Sequence, residues 1–135
     1  MDRKYYRKNG SHIWLIEDGE NIRIGMDSFL TENAGYLSYL TVDNNEFQQG
    51  DFIGSFESAK FVSKFYSPVS GEIVRINQEV VNDPMRINKD PYNAWIVEIK
   101  PHDVERDLQS EDILEGEESI RTWIEDELRR LDEDA

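Results

Sequence analysis

Residues 54–74, GSFESAKFVSKFYSPVSGEIV, contain two mainly apolar runs joined by a short turn. The first run extends over 51–58 and the second over 60–67, and their alternating apolar residues predict two β-strands. Lys60 lies between them, flanked by Ala59 and Phe61, where the tip of a hairpin is expected. A lysine at such a tip is usually only a solvated loop residue. The surrounding sequence therefore has to decide whether Lys60 has a function.

Further strand patterns occur on both sides of this hairpin. The segment 12–25 predicts a second hairpin, and 36–42, 71–77 and 94–100 predict single strands. One short helix is expected over 26–35, capped by Asp27 or Ser28 and ended by Gly35. In SPVSG, Pro68 and Gly71 predict a firm turn after the lysine hairpin. The fold class is therefore mainly β, a flattened barrel or sandwich of two small sheets.

The C-terminal part of the chain differs in charge and periodicity. Of the net charge of −14, residues 103–135 carry −10, from 14 acidic and 4 basic residues. We expect a β domain at 1–102 and an acidic helical segment at 103–135, packed on the domain or extending from it. A short helix is expected near 110–114, and a longer one from Ser119, the predicted N-cap, with an apolar face that includes Trp123, Leu128 and Leu131.

Composition limits the functions that the chain can have. With no cysteine, it has neither disulfides nor a cysteine nucleophile, so redox chemistry requires a cofactor. The acidic balance argues against a nucleic-acid surface, and no apolar run is long enough to span a bilayer. The basic N-terminus lacks the apolar segment of a secretory signal, so we expect a cytoplasmic protein. His12 and His102 are far apart and predict no metal site, and Trp14 and Trp95 are expected in the core.

The lysine hairpin and its flanks resemble a known family. Residues 56–101, together with HIWL at 12–15, IRIG at 22–25 and QQGDFIGSFES at 48–58, resemble the glycine cleavage system H protein, within the biotinyl/lipoyl carrier superfamily. The most specific parts are Glu57-Ser58 before Ala59-Lys60, then YSPVSG, Asn77, and the NDP and DPY motifs before Trp95. The biotin carriers differ, because methionines flank their modified lysine.

The resemblance implies a carrier protein and no catalytic site of its own. In the family the lysine that matches Lys60 is joined by an amide to lipoic acid, and this swinging arm carries an aminomethyl group and reducing equivalents between enzymes. The implied partners are a lipoylating enzyme, glycine decarboxylase, aminomethyltransferase and dihydrolipoyl dehydrogenase. Glu57 and Gly71 match positions that the lipoylating enzyme is expected to recognise.

Two stretches depart from the family pattern and leave alternatives open. GYLSYLTVDNNEF at 35–47 lacks the usual Leu-Pro, and DPYNAW at 90–95 lacks the glycines that commonly follow the tyrosine. One alternative is an H-like lipoate-binding protein of a heterodisulfide-reductase-like sulfur oxidation system. Another is an unlipoylated H-like binding module that uses its acidic tail to hold a partner.

Overall fold

A computed structural model describes residues 3–134 of the chain. The described part contains ten β-strands, five α-helices and a 3₁₀ turn at Lys8–Gly10. The strands are β1 (Lys4–Tyr6), β2 (Ile13–Asp18), β3 (Asn21–Met26), β4 (Leu37–Val42), β5 (Glu46–Phe47), β6 (Phe52–Ser58), β7 (Val62–Tyr66), β8 (Gly71–Ile76), β9 (Val97–Pro101) and β10 (Ile113–Leu114). The helices are α1 (Ser28–Ala34), α2 (Gln78–Asn82), α3 (Met85–Lys89), α4 (Val104–Asp107) and α5 (Glu117–Asp134).

The strands form two antiparallel sheets, which confirms the predicted mainly β fold. The larger sheet has seven strands in the order β10-β1-β2-β3-β9-β8-β5, and the smaller has three in the order β4-β6-β7. The larger sheet exceeds the expected size because the sequence analysis missed β1, β5 and β10. Each of these strands has only two or three residues, too few to show an alternating pattern.

The hydrophobic core is built by alternation along the strands. In the β2–β3 hairpin, Leu15 pairs with Ile24, and both side chains are buried. Trp14 is also buried, as predicted, and its indole N–H donates to the carbonyls of Met26 at 3.1 Å and Pro91 at 3.0 Å. Trp95, by contrast, is only half-buried, with the guanidinium of Arg23 4.6 Å from its ring centroid.

Helix α1 forms close to its predicted position. The carboxylate of Asp27 accepts a hydrogen bond from the backbone N–H of Leu30 at 3.0 Å, so Asp27 is the N-cap. Gly35 ends the helix with φ +80°, a conformation that favours glycine. Helix α1 therefore stops where the chain must turn into β4.

The C-terminal segment contains a short β-strand in addition to helices. The predicted helix near 110–114 is wrong, because Ile113 and Leu114 pair with Tyr6 and Tyr5 of β1 as an edge strand. Helix α5 begins at Glu117, so Ser119 is not its N-cap; its hydroxyl donates to the carbonyl of Glu115.

Only part of the apolar face of α5 is buried. Trp123 is 8% exposed, whereas Leu128 and Leu131 are 47% and 42% exposed. The apolar face of α5 is therefore buried at Trp123 and exposed at Leu128 and Leu131. The division into 1–102 and 103–135 stays a prediction. None of the helices among residues 3–134 is both long and apolar enough to cross a membrane.

Candidate functional site

Lys60 lies at the exposed tip of the hairpin formed by β6 and β7, as the sequence predicted. The last cross-strand pair is Glu57 with Val62, and the backbone N–H of Ser58 donates to the carbonyl of Phe61 at 2.9 Å. Strand β6 ends at Ser58 and β7 begins at Val62, so three residues, Ala59, Lys60 and Phe61, connect the two strands. Lys60 is the exposed middle residue of this connection.

The hydroxyl of Ser58 organises the turn. Its oxygen accepts hydrogen bonds from the backbone N–H groups of Lys60 and Phe61, both at 3.3 Å, and lies 3.3 Å from the carbonyl of Phe61. These contacts satisfy backbone groups that a three-residue turn would otherwise leave to water. The sequence analysis quoted Ser58 as part of the motif but gave it no role. The serine at the end of the predicted strand was the available signal.

The junction of α1 and β4 supports the turn from one side. The backbone N–H of Ala59 donates to the carbonyl of Tyr36 at 3.2 Å. A Cβ on Gly35 would lie 2.9 Å from the Cβ of Ala59, so the absence of a side chain at Gly35 allows this close approach. The lysine tip is thus held by a second element as well as by its own hairpin.

Glu57 lies on the outer face of the small sheet. Its neighbours across the strands are Tyr39 on β4 and Val62 on β7, which are 56% and 69% exposed. Tyr36 and Phe61 are also exposed beside the tip. Lys60 therefore rises from a surface with apolar groups and one carboxylate, which is accessible to a protein that approaches the hairpin.

Gly71 is far less accessible than Glu57. It is buried at the start of β8, in the larger sheet, and a Cβ there would lie 2.4 Å from the carbonyl oxygen of Lys100. The preceding turn is fixed by buried Asp107, whose carboxylate accepts from the N–H and hydroxyl of Ser70 at 2.7 and 2.8 Å. Packing alone accounts for the glycine, so any contribution of Gly71 to recognition would act through backbone shape.

The two lysines of the hairpin differ in their surroundings. The ammonium group of Lys64 lies 4.4 Å from the ring centroid of Phe52, a cation–π contact. Within residues 3–134, Lys60 forms no salt bridge. The side chain of Lys60 is therefore the more readily available of the two for attachment of a group.

A small cavity lies beside the β6–β7 hairpin. Its volume is about 80 Å³, and its walls include Ser11, His12, Phe61, Ser63 and Lys64. The hydroxyl of Ser11 is buried and has no hydrogen-bond partner. The cavity thus combines apolar walls with one unused polar group.

The histidines have different environments. His12 is buried between two carboxylates, a cluster that the sequence analysis missed, while His102 is exposed. Among the described residues, no group of three or more His, Asp or Glu side chains is arranged to hold a metal ion.

Comparison with known proteins identifies the family. The family model described as glycine cleavage H-protein matches residues 3–127. The chain belongs to the glycine cleavage H-protein family. A probable glycine cleavage system H protein of Pyrococcus horikoshii is 37% identical over 107 residues, which cover 78% of this chain and 79% of the relative.

Two further H proteins agree with this assignment. Glycine cleavage system H protein 1 of Caldanaerobacter subterraneus subsp. tengcongensis is 34% identical over 120 residues, covering 87% of this chain and 92% of the relative. The crystal structure of an H protein from Mycobacterium marinum superposes with a TM-score of 0.72 at 29% identity, covering 90% of this chain and 95% of that one.

Membership of the H-protein family establishes the general function of the chain. H proteins are lipoyl carriers of the glycine cleavage system and not catalytic enzymes, and they hold lipoate covalently on a lysine. The chain is accordingly a carrier component of glycine cleavage, and its partners belong to that system. The sulfur-oxidation and binding-module alternatives are not favoured.

Proposed function

We propose that Lys60 is the lysine that bears the lipoyl group. The observation that carries this proposal is the position of Lys60 at the exposed tip of a three-residue turn, which Ser58 and the Tyr36 carbonyl hold in place. A tether on this lysine begins at a fixed point and extends into solvent. The residues at the tip therefore fit a covalently attached, mobile arm.

The proposed partners are glycine decarboxylase, aminomethyltransferase and dihydrolipoyl dehydrogenase. A lipoyl group held by Lys60 would supply a disulfide, the functional group that can accept an aminomethyl unit together with two electrons. The chain itself supplies the amide anchor at Nζ of Lys60 and the surface on which each partner enzyme docks. Amide formation also removes the positive charge of the lysine.

We propose that the lipoylating enzyme recognises Glu57 on the hairpin and depends on Gly71 at the start of β8. Glu57 offers a charged group beside Lys60 on the exposed face of the small sheet. The buried Gly71 is proposed to contribute by allowing β8 to pass close to Lys100. The cytoplasm is the compartment that we propose for these reactions, and cell fractionation would test it.

The proposal is tested by mass spectrometry of protein produced in cells with an active lipoylation system. We expect the wild type to gain the mass of one lipoyl group, Lys60→Arg to gain none, and Lys64→Arg to behave as the wild type. The Lys64 variant is the matched control, because it changes a lysine on the same hairpin. Modification that persists in Lys60→Arg, or that is lost in Lys64→Arg, would contradict the assignment.

A further inference from the structure

His12 connects three parts of the chain that are distant in sequence. Its Nδ1 lies 2.9 Å from Oδ2 of Asp27, the N-cap of α1, and its Nε2 lies 2.8 Å from Oε1 of Glu127 on α5. The imidazole is stacked between the rings of Phe29 and Trp123, with both centroid distances 4.4 Å and interplanar angles of 15° and 17°. The side chain is 4% exposed.

Both ring nitrogens need a proton in this arrangement. An ionised carboxylate only accepts hydrogen bonds, and a neutral imidazole has one N–H and one acceptor nitrogen. With two carboxylates within 3 Å, the imidazolium satisfies both contacts, whereas the neutral ring leaves two acceptors facing each other at one of them. The charge of His12 therefore decides whether one of these contacts is attractive.

The contact with Glu127 is the weaker of the two. Asp27 is 1% exposed and also caps α1, whereas Glu127 is 12% exposed and shares its second oxygen with Arg130 at 3.1 Å. The charged and titratable groups around His12 are thus Asp27, Glu127 and Arg130, with Lys64 on the wall of the adjoining cavity. A neutral His12 would keep its proton toward Asp27 and lose the bond to α5.

We propose that His12 is a pH-sensitive latch that fastens the C-terminal helix α5 to the β domain. The latch consists of the two charged hydrogen bonds and the stacking of Trp123 on the imidazole. When His12 loses a proton, Glu127 is left without a donor from the ring and α5 loosens. His12 also lines the cavity beside the lysine hairpin.

The direction of the pH dependence follows from the surroundings of His12. Burial lowers the pKa of His12, but the hydrogen bonds and charges of Asp27 and Glu127 outweigh it and hold the pKa above its ordinary value of 6.5. A raised folded-state pKa means that the latch is fully effective below pH 6.5 and is lost as the pH rises through the raised pKa. The helix is therefore expected to loosen on the alkaline side.

The experiment uses NMR of the unlipoylated protein to follow the protonation of His12 and the exchange protection of α5. The imidazole signals of His12 are followed with pH, and Trp123, Ile124 and Glu127 report amide exchange protection in α5. We expect His12 to titrate above pH 6.5. Over the pH range in which His12 titrates, we expect the exchange protection of the α5 amides to fall about tenfold per pH unit, while the amides of β2 and β3 remain protected.

Two variants of α5 distinguish the loss of the His12–Glu127 contact from the loss of one negative charge elsewhere on the helix. In Glu127→Gln the amide either donates to or accepts from Nε2, so we expect α5 protection to become nearly independent of pH in this window. Glu125→Gln removes the same charge from an exposed position on α5 and should behave as the wild type. Constant protection in the wild type through the titration of His12, or an unchanged pH dependence in Glu127→Gln, would overturn the proposal. Neither result depends on the modification of Lys60.

Discussion

The turn that presents Lys60 depends on one hydroxyl. Ser58 accepts from two successive backbone N–H groups, and removing its oxygen would return both to solvent. The loss of such a bond costs about 0.5–1.5 kcal/mol. The larger effect should be on the position of Lys60, since the turn would sample more conformations.

We therefore expect Ser58→Ala to be folded but to be lipoylated more slowly than the wild type by a lipoylating enzyme. The matched control is Ser63→Ala, because Ser63 lies on the same hairpin and its hydroxyl donates to the carbonyl of Lys64, away from the turn. Initial rates of modification, measured by mass spectrometry, check this prediction. Equal rates for Ser58→Ala and Ser63→Ala would show that the serine does not position the lysine.

Substitution of Gly71 can distinguish a role in packing from a role in recognition by the lipoylating enzyme. An alanine there would place its Cβ 2.4 Å from the backbone oxygen of Lys100, and overpacking of this kind costs about 1–3 kcal/mol. We expect Gly71→Ala to lower the free energy of unfolding by that amount in urea denaturation. Glu72→Ala, at the next and exposed position of β8, should stay within about 0.5 kcal/mol of the wild type.

The outcome also tests the proposed role of Gly71 in recognition. If Gly71→Ala is as stable as the wild type, the close approach to Lys100 does not constrain the position. If it is destabilised but the folded fraction is lipoylated at the normal rate, Gly71 acts through packing alone.

At the scale of elements, Trp123 is the main apolar anchor of α5. It is 8% exposed, it stacks on His12, and its ring centroid lies 6.1 Å from that of Tyr5 in an edge-to-face contact. Truncation of a buried tryptophan to alanine costs about 3–5 kcal/mol. We expect Trp123→Ala to reduce stability by about 3 kcal/mol and to expose α5 amides to exchange.

Leu131→Ala is the control for this prediction. Leu131 lies on the same helix but is 42% exposed, so its truncation should change stability by less than about 0.5 kcal/mol. Thermal or urea unfolding of both variants gives the comparison. Similar losses for the two variants would mean that α5 is held along its whole length and not by Trp123.

The elements also show which parts of the fold the sequence could reveal. The β6–β7 hairpin, its lysine tip and α1 were predicted because their local patterns, alternation and capping residues, agree with the fold. The edge strand β10 was taken for a helix because two residues, Ile113 and Leu114, carry no period and owe their conformation to pairing with β1. Its structure is a tertiary effect that local pattern cannot report.

The residues of the candidate site also fall into two groups: those that a local sequence motif reveals and those that only the tertiary structure reveals. Lys60 and Glu57 belong to one local motif, so the sequence identified them together. The contact of His12 with Glu127 joins residues 115 positions apart, and one sequence offers no signal for such a pair. The role of Ser58 was missed because a serine where a strand meets a turn is common in turns without function.

At the scale of the whole molecule, the net charge of −14 is concentrated on the C-terminal segment. Self-repulsion among these carboxylates opposes the compact state, and salt screens exposed charges over about 8–10 Å at moderate ionic strength. We expect the melting temperature to rise between 10 and 150 mM of a monovalent salt, measured by calorimetry at pH 7, with part of the rise lost on deleting residues 117–135, which carry −5 of the net charge.

The same deletion tests whether the salt effect arises from charges outside α5. If the shortened chain, once shown to be folded, gains as much from salt as the wild type, the repulsion lies in the β domain. A fall in melting temperature with salt would mean that net attraction between charges dominates.

Attachment of the lipoyl group to Lys60 underlies the carrier role proposed for this H-family chain. It can be tested by intact mass followed by peptide mapping of the protein recovered from its own organism. We expect one lipoyl group, located on the peptide that contains Lys60. A bare Lys60 in protein from cells that lipoylate their other carriers, or a lipoyl group on a different lysine, would contradict it.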